Sequence, residues 1–88
     1  MLKIKDGFVV RNVAGETVAL PTGDGLNLNM MITLNSTGAF LWEKLQEPTD
    51  ENALVEALLD KYNVQQDRAQ RAVAAFVAQL RENGFLEE

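Results

Sequence analysis

The chain has 88 residues, 47% of them hydrophobic and 24% charged, and these values are typical of one small globular domain spanning residues 1–88. It contains no cysteine and no histidine. Their absence excludes disulfide bonds, thiolate or imidazole metal sites and the commonest general base. We therefore expect a protein that is not an enzyme and that holds no metal or cofactor. The net charge is −5, and residues 45–88 hold the whole acidic excess, which disfavours nucleic acid as a partner.

Three strands are predicted in the first part of the chain. Residues 8–13 and 17–21 are rich in strand-favouring side chains, and the short Ala14-Gly15-Glu16 link between them is typical of a β-hairpin. The glycines within residues 22–25 predict a loop. A third strand is expected within residues 28–34, where the apolar alternation slips near Met30 and Met31, so that a bulge is possible there and the register stays open.

Three helices are predicted after the strands. Residues 35–37 form an N-cap cluster for the first helix, and Asp50 is a natural N-cap for the second. The third helix is predicted from residue 66 to residue 83, with Gly84 as its stop and residues 85–86 turning back over the core. The apolar residues expected on or beside its inner face are Ala69, Ala72, Val73, Phe76, Val77 and Leu80.

This order of elements predicts an α+β fold, in which a small three-stranded antiparallel sheet is followed by a three-helix bundle of winged-helix type. The longest uninterrupted apolar run, residues 72–78, is too short to span a membrane. The first residues lack the apolar run of a signal peptide. We therefore expect a cytoplasmic protein with no membrane partner.

The predicted fold is compatible with DNA binding and with dimerisation. A winged-helix DNA-binding protein would use Arg68, Arg71 and Arg81 on the third helix. However, Arg81 lies roughly 80° or more around the helix from the other two arginines, and acidic residues surround the same segment. The other alternative is a dimerisation module, since an open strand edge can pair with a second copy of the chain.

A peptide-binding role is favoured by a strip of residues on the third helix beside its apolar face. Small alanines in this strip would let an extended backbone approach, and its arginines could pair with acidic side chains of a partner. The strip consists of Arg68, Arg71, Ala75 and Gln79. Beside an open strand edge, such a strip forms a groove suited to β-augmentation, in which an extended peptide adds a strand to the sheet.

Several segments resemble one known family. They are residues 13–16, residues 34–45, residues 54–58 with Tyr62 and Val64, and the pattern Val73, Phe76, Leu80 and residues 84–86. The most specific stretch is Leu-Asn-x-Thr-Gly-Ala at residues 34–39. Together these segments resemble the coenzyme PQQ synthesis protein D (PqqD) family over nearly the whole chain.

The resemblance implies a non-catalytic recognition element, or peptide chaperone, for ribosomally made and modified peptides. The leader segment of a precursor peptide would add as a strand beside strand three, against helix three, and would be presented to a modifying enzyme, commonly a radical S-adenosylmethionine (SAM) protein. The peptide-facing backbone would be that of Met30, Met31, Ile32 and Thr33. The side-chain wall would be Arg68, Arg71, Ala72, Ala75 and Gln79. Strand two (residues 17–21) lacks the aromatic residue found in many members of the family, and loop 22–29 is longer than theirs. Both departures favour a stand-alone relative that serves another peptide pathway.

Overall fold

The computed structural model describes residues 1–22 and 31–87. Within this part, the elements in chain order are β1 (Lys3–Ile4), β2 (Phe8–Val13), β3 (Glu16–Pro21), β4 (Ile32–Leu34), α1 (Ser36–Lys44), α2 (Glu51–Lys61), α3 (Gln66–Glu82) and β5 (Leu86–Glu87). Three helices follow the antiparallel sheet β2–β3–β4, which confirms the predicted α+β class. Most of the predicted glycine loop, and the Met30 half of the predicted bulge, lie outside the described residues.

The predicted hairpin is formed by β2 and β3, which pair from Phe8 opposite Pro21 to Val13 opposite Glu16. Its two turn residues both have positive φ, 54° at Ala14 and 85° at Gly15. This pattern is that of a type I′ turn, whose twist matches the twist of the two strands. Glycine adopts it freely, whereas the Cβ atom of an alanine makes it unfavourable.

The third strand, predicted within residues 28–34, is β4, which begins at Ile32 and ends at Leu34. It pairs antiparallel with β3 in a register that places Ile32 opposite Ala19 and Leu34 opposite Thr17. The side chains of Ile32 and Leu34 are buried, while that of Thr33 between them is exposed. This alternation directs one face of β4 into the core and leaves the other face open.

The ends of the helices follow the predicted capping. Oδ1 of Asn35 accepts a 2.7 Å hydrogen bond from the backbone N–H of Gly38, and Oδ1 of Asp50 accepts one of 2.8 Å from Ala53. These bonds satisfy N–H groups that have no partner within the first turn of a helix. At the other end of α3, Gly84 adopts a φ of 77° and the N–H of Phe85 donates to the carbonyl of Leu80, as in a Schellman motif.

Sequence reasoning missed a second sheet. β1 and β5 pair antiparallel, with Ile4 opposite Leu86. The returning tail therefore covers the core as predicted, but it does so as a strand that ties the two ends of the chain together. This tail pairs with β1 and not with β4.

The core lies between the sheet and the helices and is centred on aromatic rings. The ring centroid of Phe85 lies 4.4 Å from that of Phe8 and 5.5 Å from that of Trp42, and Phe85 has no exposed surface. Each helix adds aliphatic side chains to this cluster. Within the described residues, no helix is both long enough and apolar enough to cross a membrane.

The inner face of α3 differs slightly from the prediction. Its buried residues are Ala69, Val73, Val77 and Leu80. Phe76 is only half-buried and Ala72 is exposed. The apolar face is therefore rotated towards Val77, and Phe76 is left at its margin, where its ring lies beside the first turn of α1.

Candidate functional site

β4 is an edge strand of the three-stranded sheet. It pairs with β3 on one side, and among the described residues no strand pairs with it on the other. Its residues make no further backbone hydrogen bond within the described part of the chain. Met31 precedes β4 and is 42% exposed, while Met30 lies outside the described residues. The edge therefore presents backbone groups that an extended segment could pair with.

A groove runs from this edge along α3, and it has three segments. The strand segment encloses about 590 Å³ and is lined by Gly15, Glu16, Thr17, Thr33, Leu34, Asn35, Ser36, Gly38, Phe76 and Gln79. The central segment encloses about 320 Å³ and is lined by Asn35, Thr37, Gly38, Leu41, Ala72, Ala75, Phe76 and Gln79. The junction segment, at the α2–α3 link, encloses about 200 Å³ and is lined by Thr37, Leu58, Tyr62, Val64, Arg68, Ala69 and Ala72.

These segments are parts of one groove because neighbouring segments share lining residues. Asn35, Gly38, Phe76 and Gln79 line both the strand and the central segments. Thr37 and Ala72 line both the central and the junction segments. The groove therefore extends from β4, across the first turn of α1, to the start of α3.

Most residues predicted for the helical wall lie in this groove. Ala72, Ala75 and Gln79 line the central segment, and Arg68 lies at the junction end. On the strand side, Thr33 and Leu34 line the strand segment. Of the described residues predicted for the strand edge, Thr33 is therefore beside the helix strip, whereas Met31 and Ile32 line none of the three segments.

Arg71 lies differently from the other predicted wall residues. It lines none of the three segments, and its guanidinium group lies 3.4 Å from a carboxylate oxygen of Asp67, one turn earlier on α3. Both side chains are more than two-thirds exposed. Arg71 is therefore held on the flank of α3 next to the groove.

Sequence reasoning missed three residues that shape the groove: Asn35, Gly38 and Phe76. A Cβ atom on Gly38 would lie 3.3 Å from Cε1 of Phe76 and 3.2 Å from Oδ1 of Asn35. The missing side chain thus lets α1 approach the aromatic ring that forms the floor of the groove. A glycine inside a helical pattern was the available signal, because it often marks a close approach.

The groove is mainly uncharged. Among the described lining residues of its three segments, the charged side chains are Glu16 in the strand segment and Arg68 in the junction segment. Within the described part of the chain, no group of acidic residues is arranged to hold a metal ion. No charged side chain among the described residues is buried. The described lining residues therefore offer mainly uncharged hydrogen-bonding groups and apolar contacts.

A family model, coenzyme PQQ synthesis protein D (PqqD), matches residues 16–86. The matched region includes β3, β4 and the three helices, and with them every described lining residue of the groove except Gly15. The chain belongs to the PqqD family. The resemblance inferred from residues 34–39 is thereby confirmed. A search of curated proteins gives no match to this PqqD-family chain.

Two solved structures are similar to this PqqD-family chain. One is TbiB1 in complex with the TbiA(β) leader peptide, with 26% identity, a TM-score of 0.73, and coverage of 97% of this chain and 94% of that chain. The other is lasso peptide synthetase B1 complexed with the leader peptide, with 24% identity, a TM-score of 0.73, and coverage of 99% and 98%. The second likeness establishes the fold alone.

Proposed function

We propose that this chain is a non-catalytic adaptor that binds the leader segment of a ribosomally made precursor peptide. The observation that carries the proposal is the open edge of β4 beside the groove along α3. The similar protein TbiB1 is described in complex with a leader peptide. Membership of the PqqD family supports the same role.

The proposed mode of binding is strand addition. The peptide would lie along Met30, Met31, Ile32 and Thr33, of which Met30 lies outside the described residues. Main-chain hydrogen bonds to this edge would each contribute about 0.5–1.5 kcal/mol, and they would accept any sequence. Selectivity would come from peptide side chains placed in the groove.

The α3 side of the groove supplies a suitable wall. Ala72 and Ala75 are exposed and small, so a peptide backbone can lie close to the helix. The half-buried ring of Phe76 offers an apolar contact, and Gln79 can exchange hydrogen bonds with a peptide backbone. Arg68 lies at the far end of this wall, whereas Arg71 lies on its flank and is paired with Asp67.

The adaptor would present the bound peptide to a modifying enzyme, such as a radical SAM protein. The absence of histidine and cysteine from the sequence supports a division of labour in which the chemistry belongs to the partner. Nucleic acid is a poorer ligand, since Arg71 is ion-paired and the chain is acidic overall. A second copy of the chain would compete for the β4 edge, so a homodimer is the alternative occupant.

The test uses synthetic peptides that cover the short open reading frames beside the gene. We expect one of them to shift the amide signals of residues 31–34 and of α3 together in an isotope-labelled sample. Shifts scattered over other surfaces, or no binding by any of these peptides, would contradict the proposal.

Backbone N-methylation of the binding peptide then tests strand addition itself. In a strand, alternate N–H groups point to the same neighbour. Methylation at every second position should therefore abolish binding, and methylation at the positions between should have little effect. These intervening positions are the matched control. Equal tolerance at all positions would exclude an added strand.

A further inference from the structure

Among the described lining residues, the two charged side chains lie in different segments of the groove. Glu16 is the first residue of β3 and lines the strand segment, whereas Arg68 lies in the first turn of α3 and lines the junction segment. Both side chains are exposed. Among the described residues, neither takes part in an ion pair, although Arg71, close to Arg68 in the sequence, does. The groove therefore has one negative end and one positive end with uncharged residues between them.

From this arrangement we infer that the groove selects a peptide with a basic side chain at the Glu16 end and an acidic side chain at the Arg68 end. This inference rests on the proposed function and adds the chemistry of the ligand to it. Electrostatic complementarity of this kind fixes the register of a partner and excludes wrong partners more than it raises affinity. Main-chain hydrogen bonds do not favour one register of the peptide over another, so the two charged contacts would determine which register is preferred.

The spacing of the two peptide charges follows from the helix. Gln79 lines the same segment as Glu16, and it lies eleven positions after Arg68 on α3. At about 1.5 Å per helical residue, this separation is about 16 Å. An extended peptide covers about 3.3 Å per residue. Because Gln79 also lines the central segment, it marks the near end of the strand segment, and the basic and acidic positions should be at least about five residues apart.

The described lining residues of the central segment are uncharged, and this determines which peptide residues can lie between the two charged positions of the peptide. Ala72, Ala75 and Phe76 line the central segment. A charge placed there would lose hydration without gaining an opposite charge. The selected peptides should therefore carry apolar or small side chains between their two charged positions.

The experiment is a selection of random linear peptides on four forms of the full chain. The forms are the wild type, Glu16→Lys, Arg68→Glu, and the double variant that carries both substitutions. The wild type should enrich peptides with one basic and one acidic position at least about five residues apart. Each single variant should reverse the preferred charge at one position only, and the double variant should enrich the reversed order of charges.

Affinities of single peptides provide the quantitative test. Reversing the charge that faces Glu16 should weaken binding to the wild type about fivefold or more, as an exposed ion pair is lost and a repulsion is gained. The same peptide should recover its affinity on Glu16→Lys. Peptides with the same charges from all four forms, or both single variants changing the same position, would overturn the inference.

A groove-blocking variant separates this inference from the proposed function. Ala75→Phe places a ring in the central segment, so it should release every peptide that binds in the groove. Peptides that are released by this variant but show no charge preference would overturn the charge inference and leave the adaptor role standing. Peptides that bind Ala75→Phe and wild type equally would contradict the placement of the peptide in the groove, and binding of no peptide by the wild type would contradict the adaptor role itself.

Discussion

Blocking the groove at Ala75 gives the most direct test of where a peptide binds. Ala75 is exposed on α3 and lines the central segment, which encloses about 320 Å³. A cavity of about 150 Å³ accepts a benzene molecule, so the ring of Ala75→Phe would fill roughly half of this segment. The peptide side chain that would occupy this volume would then no longer be buried in the groove. Burial of an apolar side chain contributes about 1.5–3 kcal/mol, which predicts a rise in Kd of roughly 10- to 150-fold.

The matched control for this variant is Ala74→Phe. Ala74 is also exposed in the middle of α3, but it lines none of the three groove segments. Both substitutions replace alanine by phenylalanine in a helix and should cost a similar amount of stability, about 0.5 kcal/mol. Fluorescence anisotropy measures peptide affinity, and thermal unfolding by circular dichroism checks that both variants fold. Wild-type affinity in Ala75→Phe, or an equal loss in Ala74→Phe, would refute the placement of the peptide in the groove.

Three further predictions concern single side chains. Ala14→Asn should raise the free energy of unfolding by about 0.5–1 kcal/mol, since asparagine tolerates the left-handed turn conformation better than alanine; a urea midpoint at or below that of the wild type would count against the turn geometry. Phe85→Ala should cost about 3–5 kcal/mol, as expected for a fully buried aromatic ring, and a loss below about 1 kcal/mol by urea denaturation would contradict its central position in the core. Arg71→Glu should lower the free energy of unfolding by less than about 1 kcal/mol, because the pair with Asp67 is exposed. It should also weaken peptide binding less than Arg68→Glu does. The opposite order of the two affinities would show that Arg71 contacts the peptide.

The elements of the fold were predictable where local chemistry decides the structure. The hairpin, the caps at Asn35 and Asp50 and the stop at Gly84 all depend on side chains and backbone preferences within a few residues. The β1–β5 pair was not predictable in the same way. Each strand has two residues, and the pairing joins opposite ends of the chain, so no local periodicity can reveal it.

The groove was predictable in outline but not in detail. A helix wheel places Ala75 and Gln79 beside the apolar face of α3, and the structure places both in the groove. The wheel also places Arg71 there, whereas in the structure Arg71 lines none of the groove segments and is paired with Asp67 on the flank of α3. Gly38 contributes through contact between α1 and α3, and such a contact depends on tertiary packing that spacing along the chain does not encode.

β2 and β4 are the two edges of the sheet among the described residues, and their surroundings favour β4 for the strand addition that we propose. β2 forms the other edge, with Val10 and Val13 exposed at 41% and 54%, but no residue of β2 lines the groove. A peptide at β2 would gain main-chain hydrogen bonds worth about 0.5–1.5 kcal/mol each. It would lose about 1–2 kcal/mol of backbone entropy for each residue that becomes ordered.

Hydrogen bonds alone therefore do not make an added strand stable at β2. At β4 the peptide can also bury side chains against α3, each contributing about 1.5–3 kcal/mol, and this contribution makes the balance favourable. We accordingly expect a saturating peptide to shift the amide signals of β4 and α3 while those of residues 10–13 stay unchanged. Comparable shifts at the two edges would mean that hydrogen bonding by itself drives binding, and the groove would then have no special part in recognition.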